Sequence, residues 1–301
     1  MRPVRGTSSV SNFWLRRNPF AITKITITQT FSTLLKMSNT ESNHRRTRAQ
    51  SLSIRLRPLV FIAVLLVIWE IAARRQSAHL LPGPWETLGG IADLVRHGLL
   101  LKYVVASLFR VTWGFLLAAV LAIPLGLAIG WSKRAEMAFN PIIQILRPIS
   151  PLAWIPIAIL WFGVGDLAAV SLIFIGSFLP LLLTAINAVQ GVPAVYVNAG
   201  RNFGLSPARL MYQVLYPAVI PQLIVGLRIT LGIAWLVVVA AEMIAVSSGL
   251  GFLIVDARNA GNRYDLVVAG MVIIGIIGFL LDTGMRSLEK VRSFRWSYSE
   301  D

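Results

Sequence analysis

Apolar runs dominate the chain from residue 58 onward. Runs close to the roughly twenty residues that a helix needs to cross a hydrocarbon core lie at 58–73, 105–131, 141–163, 167–189, 218–245 and 266–285. The pattern predicts an all-α integral membrane protein with about six transmembrane helices. The first run, PLVFIAVLLVIWEIAA, is short and flanked by Arg57, Arg74 and Arg75. No small-residue cleavage site follows it, so it reads as a retained helix and not as a signal peptide. After it, PGPWETLGGIADLVRHG reads as an interfacial helix capping the outer mouth of the bundle. Pro84 suits a first helical position, and Trp85, Leu88, Ile91 and Val95 recur on one face.

One polar interruption is longer than a turn requires. Residues 190–217 separate two very apolar runs and contain NAGRNFGLSPARLMYQVLYP. Ala194 to Phe203 predicts a short helix that stops at Gly204, because glycine takes the left-handed conformation at little cost. Ser206 and Pro207 predict the start of a second helix, with the serine oxygen capping and proline at a position whose N–H is not needed. That helix is expected to run to Leu215 and end at Pro217, where the chain turns back into the bilayer. Two helices hinged at a glycine form a rigid knob, which predicts a docking element.

Composition removes other classes. With 56% hydrophobic and 14% charged residues and a mean hydropathy of +0.70, the chain cannot be an ordinary water-soluble domain. It has no cysteine, and its histidines, His44, His79 and His97, are scattered. Disulfides, thiolate sites and a metal centre are therefore not expected. The net charge of +15 is concentrated in residues 1–56, which carry +9 and leave +6 for the rest, so it does not point to nucleic acid. Three readings of this Ser-, Thr- and Arg-rich tail compete: an organelle transit peptide, a polybasic segment lying on anionic lipid, or an extension preceding a start at Met37. In each the tail is expected to be disordered. Residues 57–290 then form the transmembrane domain, with the loop 190–217 inside it, and 291–301 a short tail. With both termini inside, the cytoplasmic segments collect 19 Lys and Arg against 6 outside, the bias of the positive-inside rule.

The pattern Asn198-Ala199-Gly200, Gly204, then Val214-Leu215-Tyr216-Pro217 resembles the EAA motif of permease subunits in binding-protein-dependent ABC importers. Ala199, Gly204 and Pro217 match it, and Val214 stands where isoleucine is usual. Asn198 replaces the usual glutamate, Gly200 an alanine and Tyr216 a leucine. LLPGPWETL, RPISPLAWIPIAILWFG and GLRITLGIAWLVVVAAEMIA resemble the nitrate, sulfonate and taurine (bicarbonate) group of these permeases. The resemblance implies a type I ABC importer permease-like fold in the bacterial inner membrane. It also implies a second permease copy, two copies of a separate ATPase engaging the 198–217 loop, and an external solute-binding protein that delivers a small oxyanion. No phosphate-binding glycine loop occurs in the chain, so ATP is expected on the partner subunits and no cofactor on this one.

Charges inside spans are costly and are candidates for a pathway by default. Arg147, Arg228 and Glu242 are the leading three, with Glu70, Arg110 and Asp282 beside them. An arginine fork pairs with oxyanions and stays charged. The structural alternative has Arg228 holding helices together through Glu242 or Glu70, while Arg147, Arg110 and Asp282 snorkel to an interface. Pro148, Pro151 and Pro156 in one span, and Pro124, Pro180 and Pro221 in others, predict kinks. Gly226, Gly232, Gly270, Gly275 and Gly278 predict close helix packing. An ion-gradient-driven secondary transporter is the rival function; it leaves the 190–217 insert unexplained.

Overall fold

The computed structural model describes residues 57, 60–75 and 81–289. The expected disordered tail 1–56, the Met37 start and the tail 291–301 lie outside the described residues. So do residues 58 and 59, at the start of the first expected span, and 76–80, just beyond its end. Within the described residues that span is a helix at 60–75, α1. It is followed by α2 (Pro84–Arg96), α3 (Leu99–Trp131), α4 (Lys133–Leu146), α5 (Ile155–Phe162) and α6 (Asp166–Gln190). Beyond them come α7 (Ala194–Asn202), α8 (Pro207–Leu210), α9 (Tyr216–Ala245), α10 (Leu250–Gly261) and α11 (Tyr264–Glu289). The described residues contain no strand. Among them four helical stretches, Leu99–Trp131, Asp166–Gln190, Pro207–Ala245 and Tyr264–Ser287, are long and apolar enough to cross a membrane.

The expected span 141–163 is not one helix. α4 and the segment Pro151–Phe162 meet at an angle of 82°. Pro148 and Pro151 remove two N–H donors within four residues, and Ser150 adopts an extended ψ of 134° while its hydroxyl accepts from Leu152 N at 3.3 Å. The helix cannot propagate through this pair, so the chain turns. Pro124, Pro180 and Pro221 instead lie inside continuous helices.

The core is a seam between α3 and α6. Gly114, Ala118, Ala122, Gly126 and Gly130 recur every four residues on α3, one stripe of a helix. Ala118 and Ala122 are completely buried. A Cβ on Gly114 would stand 2.6 Å from Ile173 Cβ, and one on Gly126 2.6 Å from Ala185 Cβ. Backbones therefore approach closely, which is how helices associate where lipid removes most of the hydrophobic drive between them. The order of these contacts, 114 to 173 and then 126 to 185, makes α3 and α6 parallel. α9 runs against them: Gly226 abuts Thr184, and a Cβ on Gly176 would stand 3.1 Å from Val237. Gly126→Ala is expected to destabilise the fold by about 1 kcal/mol through overpacking; thermal melting of the purified protein measures it.

Of the other glycines expected to permit close packing, Gly226 meets Thr184, Gly270 meets Ile254 and Gly278 meets Trp235, whose indole donates to Ile274 O at 3.1 Å. Gly232 and Gly275 have open space instead, and nothing among the described residues requires glycine there.

These directions define two ends of the bundle. Asp166, Ala245 and Tyr264 lie at one, joined by Gly165 N donating to Ala245 O at 2.8 Å. Trp131, Gln190 and Tyr216 lie at the other, with α7 and α8. At the first end α2 packs Gly90 against the backbone of Asp265. Its buried face is Thr87, Gly90 and Leu94, so Trp85, Leu88 and Val95 face outward. Pro84 takes the first helical position and Glu86 Oε2 accepts from Gly83 N at 3.1 Å. Arg263 joins Asp265 at 2.7 Å and Asp93 of α2 at 3.2 Å, and both carboxylates raise its pKa above the ordinary guanidinium value.

Candidate functional site

The 190–217 insert is a helical hairpin. Gly204 has φ +75°, Leu205 N donates to Gly200 O at 3.1 Å and Gly204 N to Arg201 O at 2.9 Å. This nested pair satisfies the last carbonyls of α7 and closes the turn tightly. Ser206 caps α8, its hydroxyl accepting from Arg209 N at 3.4 Å. Gly200 is buried because a Cβ there would lie 2.7 Å from Leu210 Cδ1, 3.3 Å from Leu205 Cδ1 and 3.4 Å from Val214 Cγ2. Glycine at this position, where the motif usually has alanine, lets Leu210 fill the angle between the two helices. Asn198, Ala199 and Gly204 are exposed, while Val214 and Pro217 are half-buried against the bundle.

Pro217 does not end the helix. α8 passes through a wider π turn, Met211–Leu215, directly into α9, so that Pro207–Ala245 forms one apolar stretch. Pro217 withdraws a donor from the preceding turn, and the wider spacing accommodates its ring. Continuity is favoured because Leu215, Val219 and Leu223 pack on Ala185, Ala188 and Val189 of α6. The hairpin is thereby rigidly joined to a span. Its outer surface carries Tyr196, Phe203 and Tyr212, with Phe203 85% exposed, beside exposed Arg201 and Arg209. Aromatic and arginine side chains are the types that dominate binding energy at protein interfaces.

At the opposite end the intramembrane charges form a cluster that the chain's spacing did not reveal. Arg110 of α3, 2% exposed, donates through Nη1 to Glu242 Oε1 at 2.7 Å and Ser248 O at 2.8 Å. Its Nη2 donates to Ser248 Oγ at 2.6 Å, and Nε to Asp166 Oδ1 at 2.8 Å. Nη2 also stands 2.7 Å from Asp166 Oδ1. Glu242, wholly buried, accepts further from Ser107 Oγ at 2.8 Å and Gly251 N at 3.0 Å. Ser107 Oγ in turn accepts from Leu250 N at 3.0 Å. A guanidinium has five N–H donors, and four of them donate here, with the Nη2–Asp166 ion pair beside them. The cluster ties α3, α6, α9 and α10 together. Gly249, with φ +111°, lets the loop pass directly over the Glu242 carboxylate.

Arg228 is held by Asp282 of α11, Nε to Oδ1 at 2.6 Å and Nη2 to Oδ2 at 3.2 Å. Of the two partners expected for Arg228, Glu242 and Glu70, the first is held by Arg110 instead. Neither Arg110 nor Asp282 merely snorkels. Arg147 sits at the elbow after α4 and lines a cavity of about 320 Å³. The three leading pathway candidates are therefore not brought together. No group of three metal-ligating side chains occurs among the described residues.

Residues 122–293 match the family model described as "Binding-protein-dependent transport system inner membrane component". The chain belongs to this family. It is 38% identical over 246 residues to the nitrate import permease protein NrtB of Synechocystis sp., covering 78% of this chain and 88% of that one. It is 35% identical over 238 residues to the taurine transport system permease protein TauC of Escherichia coli, covering 76% and 86%. A solved structure of the MetNI methionine ABC transporter in inward-facing form matches with a TM-score of 0.58 at 19% identity, over 64% of this permease and 95% of that chain. The expected family is thus established, and the all-α permease fold with it.

Proposed function

We propose that this permease is the membrane subunit of an ATP-driven importer that moves a small oxyanion, of the kind named for its taurine and nitrate relatives, delivered by an external solute-binding protein. The carrying observation is the hairpin: a closed, glycine-hinged turn that exposes aromatic and arginine side chains and runs without a break into α9. In this reading Asn198, Ala199, Gly200, Gly204, Val214 and Pro217 form the coupling loop for a separate ATPase present in two copies, with ATP bound there. A second permease copy completes the pathway on a two-fold axis. The hairpin end faces the cytoplasm, which agrees with Lys133, Arg134, Arg201, Arg209 and Arg286 at that end. Both termini are then cytoplasmic and the chain is multi-pass in the inner membrane. Arg147 and Arg228 remain pathway candidates, while the saturated partners of Glu242 favour a clamp role for it.

Reconstitution tests this reading. In vesicles holding the permease, its ATPase and the solute-binding protein, ATP is expected to drive uptake and an imposed ion gradient alone is not. Gradient-driven uptake without ATP would establish the secondary-transporter alternative.

A further inference from the structure

Of the arginines within the spans, two are neutralised inside the chain: Arg110 by Glu242 and Asp166, and Arg228 by Asp282. Arg147 differs. Its side chain is exposed, and among the described residues the guanidinium makes no hydrogen bond and no ion pair. It stands at the rim of the elbow cavity of about 320 Å³, whose walls include Trp154, Phe174, Phe178 and Ile233. The depth of this cavity follows from its lining. Phe178 is the central residue of α6, and Ile233 lies near the middle of α9. The cavity therefore lies halfway between the two ends of the bundle, where an unpaired charge is most costly and an incoming counter-charge is most favoured. The elbow itself creates the space: Pro148 and Pro151 stop α4, and Gly176 has no Cβ to meet Pro151, which would stand 3.3 Å away.

We propose that this cavity is a transient binding site for an organic oxyanion, with Arg147 holding the charged head and Trp154, Phe174 and Phe178 receiving a short apolar body. The inference rests on the transport reading and narrows its substrate class. A planar guanidinium pairs with two oxygens of a sulfonate-type head and does not lose its charge at any physiological pH. The volume sits at the lower bound of small-molecule sites, roughly 300 to 1,000 Å³. A four-atom inorganic ion would fill a small part of it and leave the aromatic walls without contacts. A tailed anion gains both the charge pairing and the apolar burial. Because a single cation makes the head contact and no second donor among the lining side chains is charged, the ligand can also leave.

The test uses the full-length permease in lipid nanodiscs and three probes: radiolabelled butane-1-sulfonate, methanesulfonate and nitrate. Saturable butane-1-sulfonate binding is expected, displaced by nitrate about tenfold less effectively than by unlabelled butane-1-sulfonate. Arg147→Gln is expected to weaken it about tenfold, the value of one charge-assisted pair, and Arg147→Lys less. Phe174→Ala retains the cation and tests the wall separately: it should lower butane-1-sulfonate affinity while leaving methanesulfonate affinity unchanged. Absence of saturable binding, unchanged affinity in Arg147→Gln, or nitrate competing as well as the tailed anion would overturn the proposal. If ATP-driven uptake in the reconstituted vesicles is intact when these results fail, the site alone is refuted. If ATP does not drive uptake in the wild type, the transport reading itself has failed.

Discussion

Arg110→Met is expected to remove most of the fold's stability, about 3–5 kcal/mol. The substitution keeps the length and apolar stem of the side chain but leaves Glu242, wholly buried, without its cation. Ser107 and Gly251 continue to donate to that carboxylate, yet two neutral donors do not offset a charge removed from water. Ser248 also loses both contacts that fix the loop over α9. The penalty arises from leaving one partner behind, so the double variant Arg110→Met with Glu242→Leu should recover a large part of the loss, because Asp166 is largely exposed and tolerates solvent. Thermal melting of the detergent-solubilised proteins distinguishes the cases. Equal losses in the single and double variants would mean that the cluster acts through shape and not through charge.

The hairpin was legible in the sequence because its determinants are local. Gly204, Ser206 and Pro207 act within one turn, and each occupies the conformation its chemistry predicts. Pro217 was misleading for the opposite reason. As a local signal it reads as a stop, but Leu215, Val219 and Leu223 gain burial on α6 only if the helix continues, and a π turn is a small cost against that packing. The elbow shows a third case. Hydropathy reports that residues 141–163 are apolar, and the prolines report that the helix breaks, yet neither carries the direction of the turn. The charge cluster is the least legible feature, since Arg110 meets partners 56, 132 and 138 residues away. No periodicity connects such positions, and arginines with unknown partners look alike in sequence. The seam on α3 was visible in principle: small residues at 114, 118, 122, 126 and 130 form a strict stripe, a pattern that attention to single glycines passes over.

Gly204→Val should separate assembly in the membrane from transport. Valine at φ +75° brings its branched Cβ against the following carbonyl, a strain of about 1–2 kcal/mol. Open space surrounds the position, so no packing clash is added. The strain is relieved most cheaply by opening the turn, which breaks the Leu205-to-Gly200 and Gly204-to-Arg201 hydrogen bonds and swings α7 away from α8. The spans are unaffected, because the α3–α6 seam and the Arg110 cluster lie elsewhere. Insertion and melting are therefore expected to match the wild type within about 1 kcal/mol. ATP-driven uptake is expected to fall about tenfold or more, since α7 carries Asn198 and Ala199 and a shift of that helix misplaces the proposed ATPase contact. Gly204→Ala, with the smaller Cβ, should retain an intermediate rate, and Gly204→Asn, whose side chain tolerates the left-handed region, a rate closer to wild type. This order, Gly, Asn, Ala, Val, follows backbone strain and not side-chain volume. An uptake series that instead follows size would place the effect in direct contact with the ATPase, and wild-type uptake in Gly204→Val would remove the hairpin from the coupling pathway.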